Sequence, residues 1–279
     1  MVLFSAVVMD LDGTLLNSRK ELTARTLKVL LHLAGQGIKL VIATARPPRA
    51  VKELLPASLL RHCAIICYNG ALFRLDDGRD RHIGIPVEHN RELLKFAEDD
   101  PEIRVSLEIL DCWYSCHSID YVSLGAASGP EYRPFSWLME QEPTKLLLTG
   151  VRNPQAWMER FGHQVHVMVT DQGTLMQVMA KDVSKDAALR ELCDLWGMGL
   201  EQTIVFGDDY NDLGLFRNCG YPVAMQNAIE ELKQLSKEVT VSHDEEGVAV
   251  VLERLVCQDR TFSALIKDDG TNSLSRSYR

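Results

Sequence analysis

Asp10-Leu11-Asp12-Gly13-Thr14 is the stretch that decides the fold, because a short apolar run ends at it. The residues before it, 4–9, are apolar and partly β-branched, which predicts a buried strand. In an open parallel sheet, ligands bind beyond the carboxyl ends of the strands, so Asp10 and Asp12 are expected to point into a cleft. Two like charges this close are stabilised by a divalent cation. A plain turn between a strand and a helix would leave the same pattern.

Composition narrows the class of protein. The chain has 279 residues, 46% of them hydrophobic, and a formal net charge of −9. An acidic surface argues against binding to nucleic acid or to an anionic membrane. Seven cysteines, an odd number, indicate buried thiols in a reducing compartment and not a disulfide framework. With neither a secretion signal nor a long apolar run in the sequence, we expect a cytoplasmic protein.

One group of residues raises the alternative of a second metal site. Cys112, Cys116 and His117 are close in sequence, but no second pair of ligands follows at a spacing typical of zinc sites. Packing within a strand is the simpler interpretation of this group.

Strands and helices alternate on both sides of a central segment. Periodicity predicts a strand over 38–43, a helix over 48–60 and a strand over 64–67. The alternation returns with a helix over 184–197 and a strand over 203–206. This pattern is typical of an α/β fold with a doubly wound parallel sheet.

The central segment breaks the alternation and mixes short strands with short helices. We therefore expect a core formed by 1–80 and 182–257, with 81–181 inserted as an α+β domain. Residues 258–279 are polar and are expected to form a loosely held tail.

Polar residues follow several of the predicted core strands or begin a core helix. They are Asp10, Asp12, Thr44, Lys185, Asp208, Asp209, Asn211 and Asp212. Each alone has an ordinary structural interpretation, as a helix cap, a turn or a solvated lysine. Their order along the chain is what indicates a common site.

This ordered set resembles the haloacid dehalogenase superfamily of phosphohydrolases, and in particular its Cof-type branch with a large α+β cap. The resemblance extends to about residue 256. It rests on the run from Asp10 to Leu16 and on three later segments, 207–212, 223–228 and 246–249. It implies a Rossmann-like core, with the inserted segment as a cap that selects the substrate.

The resemblance also implies a mechanism. Asp10 would be the nucleophile that forms an aspartyl-phosphate, and Asp12 the general acid and base. Mg²⁺ would be bound by the Asp10 carboxylate, the Asp12 backbone carbonyl and Asp208. Asp212 would hold a metal-bound water or orient Lys185.

The phosphate would be bound by a further set of residues that the resemblance implies. These are Leu11, Thr44, Ala45, Lys185 and Asn211, with Asn69 and Gly70 as possible substrate contacts. The chain departs from the common family pattern at Ala45 and Asp186, where glycine is frequent. Neither change removes a catalytic group.

The sequence therefore predicts a Mg²⁺-dependent phosphatase acting on a small phosphorylated metabolite such as a sugar phosphate, FMN or pyridoxal phosphate. A phosphomutase of the same superfamily and a catalytically silent binding protein remain alternatives. The expected partner is the small substrate alone, without nucleic acid or membrane, and the expected assembly is a monomer or homodimer.

Overall fold

A computed structural model describes residues 4–74, 80–121, 128–170 and 173–256. The tail predicted over 258–279 lies outside the described residues. Contacts divide the chain into two compact units. The first contains the described residues within 4–41, 57–63 and 198–256, and the second contains those within 42–56 and 64–197.

The first unit contains the strand predicted before Asp10 and strands that share a sheet with it. They are β1 (Ala6–Met9), β2 (Lys39–Ala43), which passes into the second unit, and, numbered in chain order, β12 (Thr203–Gly207), β13 (Tyr221–Ala224) and β14 (Glu238–Val239). Their order is β14-β13-β12-β1-β2. β1 with β12, β12 with β13, and β13 with β14 all pair in parallel. The α/β expectation with a parallel sheet is thus confirmed.

Helices cover this sheet, as the fully buried strands β1 and β12 require. They are α1 (Ala24–Gly35), α3 (Ala57–Leu60), α8 (Leu213–Asn218), α9 (Glu230–Leu235) and α10 (Gly247–Val256). Thr23 caps α1 by accepting a hydrogen bond from the Thr26 amide at 3.2 Å.

The second unit begins at the end of β2. Next to β2 lie β3 (Cys63–Cys67), β4 (Leu72–Arg74) and β5 (Asp80–His82), in that order. β3 pairs antiparallel with β4, and β4 with β5.

The second unit also contains a six-stranded sheet. Its strands are β6 (Arg104–Ile109), β7 (Cys112–Ser115), β8 (Glu131–Tyr132), β9 (Lys145–Thr149), β10 (Val165–Thr170) and β11 (Leu175–Ala180). Their order is β10-β11-β9-β6-β7-β8, and all neighbours are antiparallel except β7 and β8. All six strands lie within residues 81–181. The boundaries of this segment as a separate cap, at 81 and 181, stay a prediction.

The helices of the second unit are α2 (Pro48–Leu54), α4 (Val87–Glu98), α5 (Phe135–Leu138), α6 (Pro154–Phe161) and α7 (Lys185–Trp196). Side chains of α4, α5 and α6 pack on the six-stranded sheet in one apolar cluster that includes Leu93, Leu138, Trp157 and Leu146. Of the described residues, none belongs to a helix with the length and apolar character needed to cross a membrane.

The predicted helix over 48–60 is wrong, since the chain forms α2 and α3 with a break between them. Leu55 is extended there, with φ −112° and ψ 139°. Pro56 is the cause, because its ring excludes the helical conformation of the preceding residue.

Candidate active site

Three carboxylates converge at one edge of the sheet in the first unit. Asp10 follows β1, and its amide donates to the Phe206 carbonyl at 3.1 Å. β1 and β12 are parallel neighbours with Met9 opposite Phe206, so the residues that follow them emerge side by side. Oxygens of Asp10, Asp208 and Asp212 all lie within 4.8 Å of one another.

Hydrogen bonds fix two of these carboxylates. The Thr14 hydroxyl donates to Asp208 Oδ1 at 2.8 Å. Asp212 Oδ2 accepts from the amides of Asp208 at 3.1 Å and Asp209 at 3.4 Å. Asp212 thereby holds the turn that presents Asp208, and its side chain has no exposure to solvent.

Gly13 allows the close approach of the two motifs. Its φ is +77°, and a Cβ added there would lie 2.2 Å from Asp208 Oδ2. Any side chain at this position would displace Asp208 as well as strain the backbone. The glycine is therefore required both by the turn and by the carboxylate cluster.

The donor set of this cluster fits Mg²⁺. Three carboxylates this close repel one another unless a cation neutralises them, and hard oxygen ligands are those that Mg²⁺ prefers. Over the described ranges, Asp10, Asp208 and Asp212 are the one group of acidic, histidine or cysteine side chains arranged to hold a metal ion. Cys112, Cys116 and His117 do not form such a group.

Asp12, the predicted acid and base, lies beside this cluster in sequence but has a partner of its own. Its Oδ1 accepts from Lys20 Nζ at 2.7 Å, and the carboxylate is about one-third exposed, at 34%. Lys20 adopts a left-handed conformation, with φ 62°. Leu11, between the two aspartates, is fully buried. Asn211 is half-buried in the helical turn Tyr210–Asp212.

Thr44 and Ala45 follow β2 in the second unit. Thr44 is 1% exposed. Its amide donates to the Ile66 carbonyl at 2.8 Å, and its Oγ1 accepts from the Arg46 amide at 3.2 Å. Since the oxygen is the acceptor in this bond, the hydroxyl proton remains available for another acceptor.

The turn after β3 packs closely on the start of α7. Tyr68, Asn69 and Gly70 all have positive φ, at 50°, 54° and 111°. A Cβ at Gly70 would lie 2.2 Å from the Ser184 carbonyl oxygen. Ser184 caps α7, and Lys185, the next residue, is 1% exposed. The structure thus brings the predicted residues 69, 70 and 185 into one region.

A charged network in the second unit was missed by the sequence analysis. The Arg49 guanidinium binds both carboxylate oxygens of Glu108, at 2.9 and 3.0 Å. The Tyr68 hydroxyl donates to Glu108 as well. Burial, and next the negative charge of Glu108, raises the pKa of Tyr68. Arg49, Tyr68 and Glu108 are far apart in sequence, so no local pattern could have revealed their pairing.

Lys145 belongs to the same region and was also missed. Its ammonium donates to the Ala45 carbonyl at 3.1 Å and to Gln177 Oε1 at 3.0 Å. Burial lowers the pKa of Lys145 to about 8. The available signal was a lysine at the start of the apolar run Leu146-Leu147-Leu148, which forms part of β9.

Comparisons with known proteins identify related hydrolases. The family model described as haloacid dehalogenase-like hydrolase matches residues 7–252. A putative phosphatase of Haemophilus influenzae is 27% identical over 266 residues, covering 90% of this chain and 98% of the relative. The 5-amino-6-(5-phospho-D-ribitylamino)uracil phosphatase YitU of Bacillus subtilis is 26% identical over 256 residues, covering 87% and 94%.

A solved structure shares the fold. The crystal structure of TM0651 from Thermotoga maritima matches with a TM-score of 0.81 and 29% identity, covering 90% of this chain and 97% of that one.

Proposed function

The chain belongs to the haloacid dehalogenase-like hydrolase family, and from this we propose that it is a Mg²⁺-dependent phosphatase that hydrolyses a small phosphorylated metabolite. The observation that carries the proposal is the convergence of Asp10, Asp208 and Asp212 within 4.8 Å at the end of β1 and β12. The names of the relatives support the reaction class.

In the proposed mechanism, an Asp10 carboxylate oxygen attacks the phosphorus of the ester. The bond from phosphorus to the ester oxygen breaks, and that oxygen takes a proton from Asp12. Asp12 then removes a proton from water, which attacks phosphorus and releases inorganic phosphate and the Asp10 carboxylate. Asp12 must therefore leave the Lys20 ammonium or share it during each turnover.

Asp10, Asp208 and the backbone carbonyl of Asp12 would hold Mg²⁺, which supplies positive charge to neutralise the phosphate and the nucleophile. Asp212 holds the turn that carries Asp208, through the amides of 208 and 209. In this role it positions a ligand.

The phosphoryl oxygens are assigned to polar groups with fixed geometry. We assign them to the hydroxyl of Thr44, the amides of Leu11 and Ala45, the Lys185 ammonium and the Asn211 side chain. Phosphoryl transfer is accelerated mainly by positioning and by stabilising charge on these oxygens. Asn69 and Gly70 are assigned to substrate contact, because their turn packs against Ser184 next to Lys185.

The segment 81–181 is proposed to act as the cap that chooses among phosphate esters. Its six-stranded sheet and helices form their own apolar cluster, so side chains can vary around that cluster without disturbing the catalytic residues. Sugar phosphates and nucleotides of the FMN class are the proposed substrates. The YitU relative, named for a phosphorylated ribityl compound, supports this range.

The test is release of inorganic phosphate from a panel of esters, including p-nitrophenyl phosphate, FMN, pyridoxal phosphate and hexose phosphates. We expect turnover with Mg²⁺ and none with excess chelator. An isomeric ester in place of inorganic phosphate would instead indicate a mutase. Binding without turnover in the presence of Mg²⁺ would contradict the proposal and favour a silent binding protein.

A further inference from the structure

Lys145 is a buried cation for which the proposed mechanism has no use. It begins β9, next to three leucines, and its side chain is 5% exposed. An ammonium loses most of its hydration at such a position, so its interactions there must be strong if it is to stay charged.

The partners of Lys145 are neutral. Its Nζ donates to the Ala45 carbonyl and to the Gln177 side-chain oxygen, and lies 5.1 Å from the centroid of the Tyr68 ring. Within the part of the chain that the structure describes, it forms no ion pair. The nearby Glu108 is bound instead by Arg49 and Tyr68. Lys145 is thus a positive charge that no carboxylate neutralises by direct contact.

Its contacts reach both loops that carry proposed phosphate and substrate groups in the second unit. Ala45 directly follows Thr44, and Tyr68 directly precedes Asn69 and Gly70. A hydrogen bond to the Ala45 carbonyl restrains the peptide that follows the proposed phosphate-binding amide. Tyr68, held by Glu108 at its hydroxyl, presents its ring face to the ammonium.

We propose that Lys145 is a positioning residue of the phosphate site: it fixes the 44–46 loop and supplies a buried positive charge that favours the doubly ionised form of a phosphate ester. This inference rests on the proposed function. It means that β9 contributes to binding of the phosphate, in addition to any contribution of the segment 81–181 to selecting the rest of the substrate.

The pH dependence follows from the charged groups around Lys145. Burial lowers its pKa to about 8, Glu108 and Cys67 raise it, and Arg49 lowers it. Lys145 is therefore charged below about pH 8 and neutral above it. If its charge favours the substrate, kcat/KM, which reports the free enzyme, falls as the pH rises through this value, and in the complex a bound dianion raises the pKa of Lys145.

The experiment compares three variants with wild type under saturating Mg²⁺. Lys145→Met removes both the charge and the hydrogen bonds, Lys145→Gln keeps a donor without the charge, and Lys145→Arg keeps a charge that does not titrate below pH 12. Lys181→Met is the matched control, because Lys181 also donates to a backbone carbonyl, that of His163, but on an exposed side chain.

We expect KM for the phosphate ester to rise at least about tenfold in Lys145→Met, with kcat changed less than about threefold, as for a group that acts on ground state and transition state alike. Lys145→Gln is expected to raise KM by a smaller factor. The alkaline limb near pH 8 is expected to disappear in Lys145→Arg and in Lys145→Met. Lys181→Met is expected to match wild type.

A second measurement is made on the wild-type protein and does not depend on the folding of a variant without the charge. In wild-type protein labelled at lysine ¹³Cε, the Lys145 signal, assigned by its absence from the Lys145→Arg spectrum, is titrated with and without inorganic phosphate. We expect phosphate to raise the apparent pKa of Lys145. A pKa unmoved by saturating phosphate overturns the inference, as does a folded Lys145→Met variant with unchanged KM and pH profile.

These outcomes are distinct from failure of the proposed function. A wild-type protein that turns over no ester with Mg²⁺ refutes the phosphatase itself. A wild type that turns over esters alongside unaffected Lys145 variants refutes only the role of Lys145.

Discussion

Buried charges occur in both units, but they are stabilised in different ways. In the first unit, oxygens of Asp10, Asp208 and Asp212 lie within 4.8 Å of one another, and the Thr14 hydroxyl and backbone amides donate to two of these carboxylates. In the second, Glu108 is bound by Arg49 and Tyr68, and so has an opposite charge beside it. For the first arrangement we propose a bound Mg²⁺ ion, whereas the second has an opposite charge in the Arg49 guanidinium.

This difference distinguishes a candidate binding site, the acidic cluster, from an ion pair that stabilises the fold. Like charges held close together lower the free energy of unfolding, and such clusters are typical of sites that bind a metal ion or a ligand. A paired charge in the second unit contributes to the folded state, because removing one partner leaves the other buried and unpaired. Isosteric replacement of one carboxylate in each cluster should therefore have opposite consequences.

The largest expected effect is on catalysis in the acidic cluster. Asp10→Asn removes the attacking charge at constant size, and we expect kcat to fall at least about a thousandfold, or about 4 kcal/mol of barrier. Phosphate release and the unfolding midpoint are measured together. The control is Asp194→Asn, an exposed acid near the end of α7 that belongs to no proposed site. Turnover of an undeamidated Asp10→Asn protein at the wild-type rate would remove Asp10 from this role.

The paired charge is expected to matter for stability. Glu108→Gln leaves Arg49 and Tyr68 without their charged acceptor, so we expect a loss of about 3 kcal/mol in the free energy of unfolding. Denaturant unfolding measures it. Glu140→Gln, which breaks the exposed pair of Arg91 and Glu140, is the control and should change the free energy of unfolding far less. Equal losses in the two variants would contradict the distinction between the clusters.

Binding of Mg²⁺ to the acidic cluster should stabilise the folded protein. At free Mg²⁺ about 100 times its Kd, we expect wild type to gain about 2.7 kcal/mol in unfolding free energy. Asp208→Asn should lose most of this gain, because a neutral amide is a weaker ligand for Mg²⁺ than a carboxylate. Calorimetric titration and thermal unfolding measure the two effects. An unchanged Mg²⁺ affinity in Asp208→Asn would exclude Asp208 as a ligand.

The smallest effect concerns pH. Lys145 has a folded pKa of about 8, against an ordinary value of 10.5. Between these values the unfolded chain binds more protons, so this residue makes stability rise with pH, by at most about 1.4 kcal/mol per unit. Relative to Lys145→Met, the wild-type unfolding free energy should rise from pH 8 to pH 10. Parallel pH profiles of the two proteins would show that Lys145 titrates normally.

The sequence predicted the acidic cluster because its residues lie in two short motifs. Asp10 follows an apolar strand, and Asp208 and Asp212 share a single turn, so their order along the chain indicated a common site, while the family resemblance implied Asp10 and Asp208 as metal ligands. The α/β fold followed from the same alternation. The helix predicted over 48–60 failed at Pro56, where a local rule about the preceding residue outweighed apolar periodicity.

The network of the second unit could not be predicted in this way. Arg49 and Glu108 are 59 residues apart, and Lys145 and Ala45 are 100 apart. Such pairs depend on how separate elements pack, which a single sequence does not state. Gly70 is intermediate: the resemblance implied it as a possible substrate contact, but its close approach to the Ser184 carbonyl becomes evident only in the folded chain.

The most direct test of the account asks where the phosphoryl group goes. Protein mixed with a phosphate ester and Mg²⁺ is quenched in acid, reduced with borohydride, which converts an aspartyl-phosphate to homoserine, and analysed by peptide mass spectrometry. If Asp10 is the nucleophile, homoserine is expected at residue 10 in wild type and not in Asp10→Asn. Homoserine at another aspartate, or turnover with residue 10 unmodified under conditions that trap the intermediate, would contradict it.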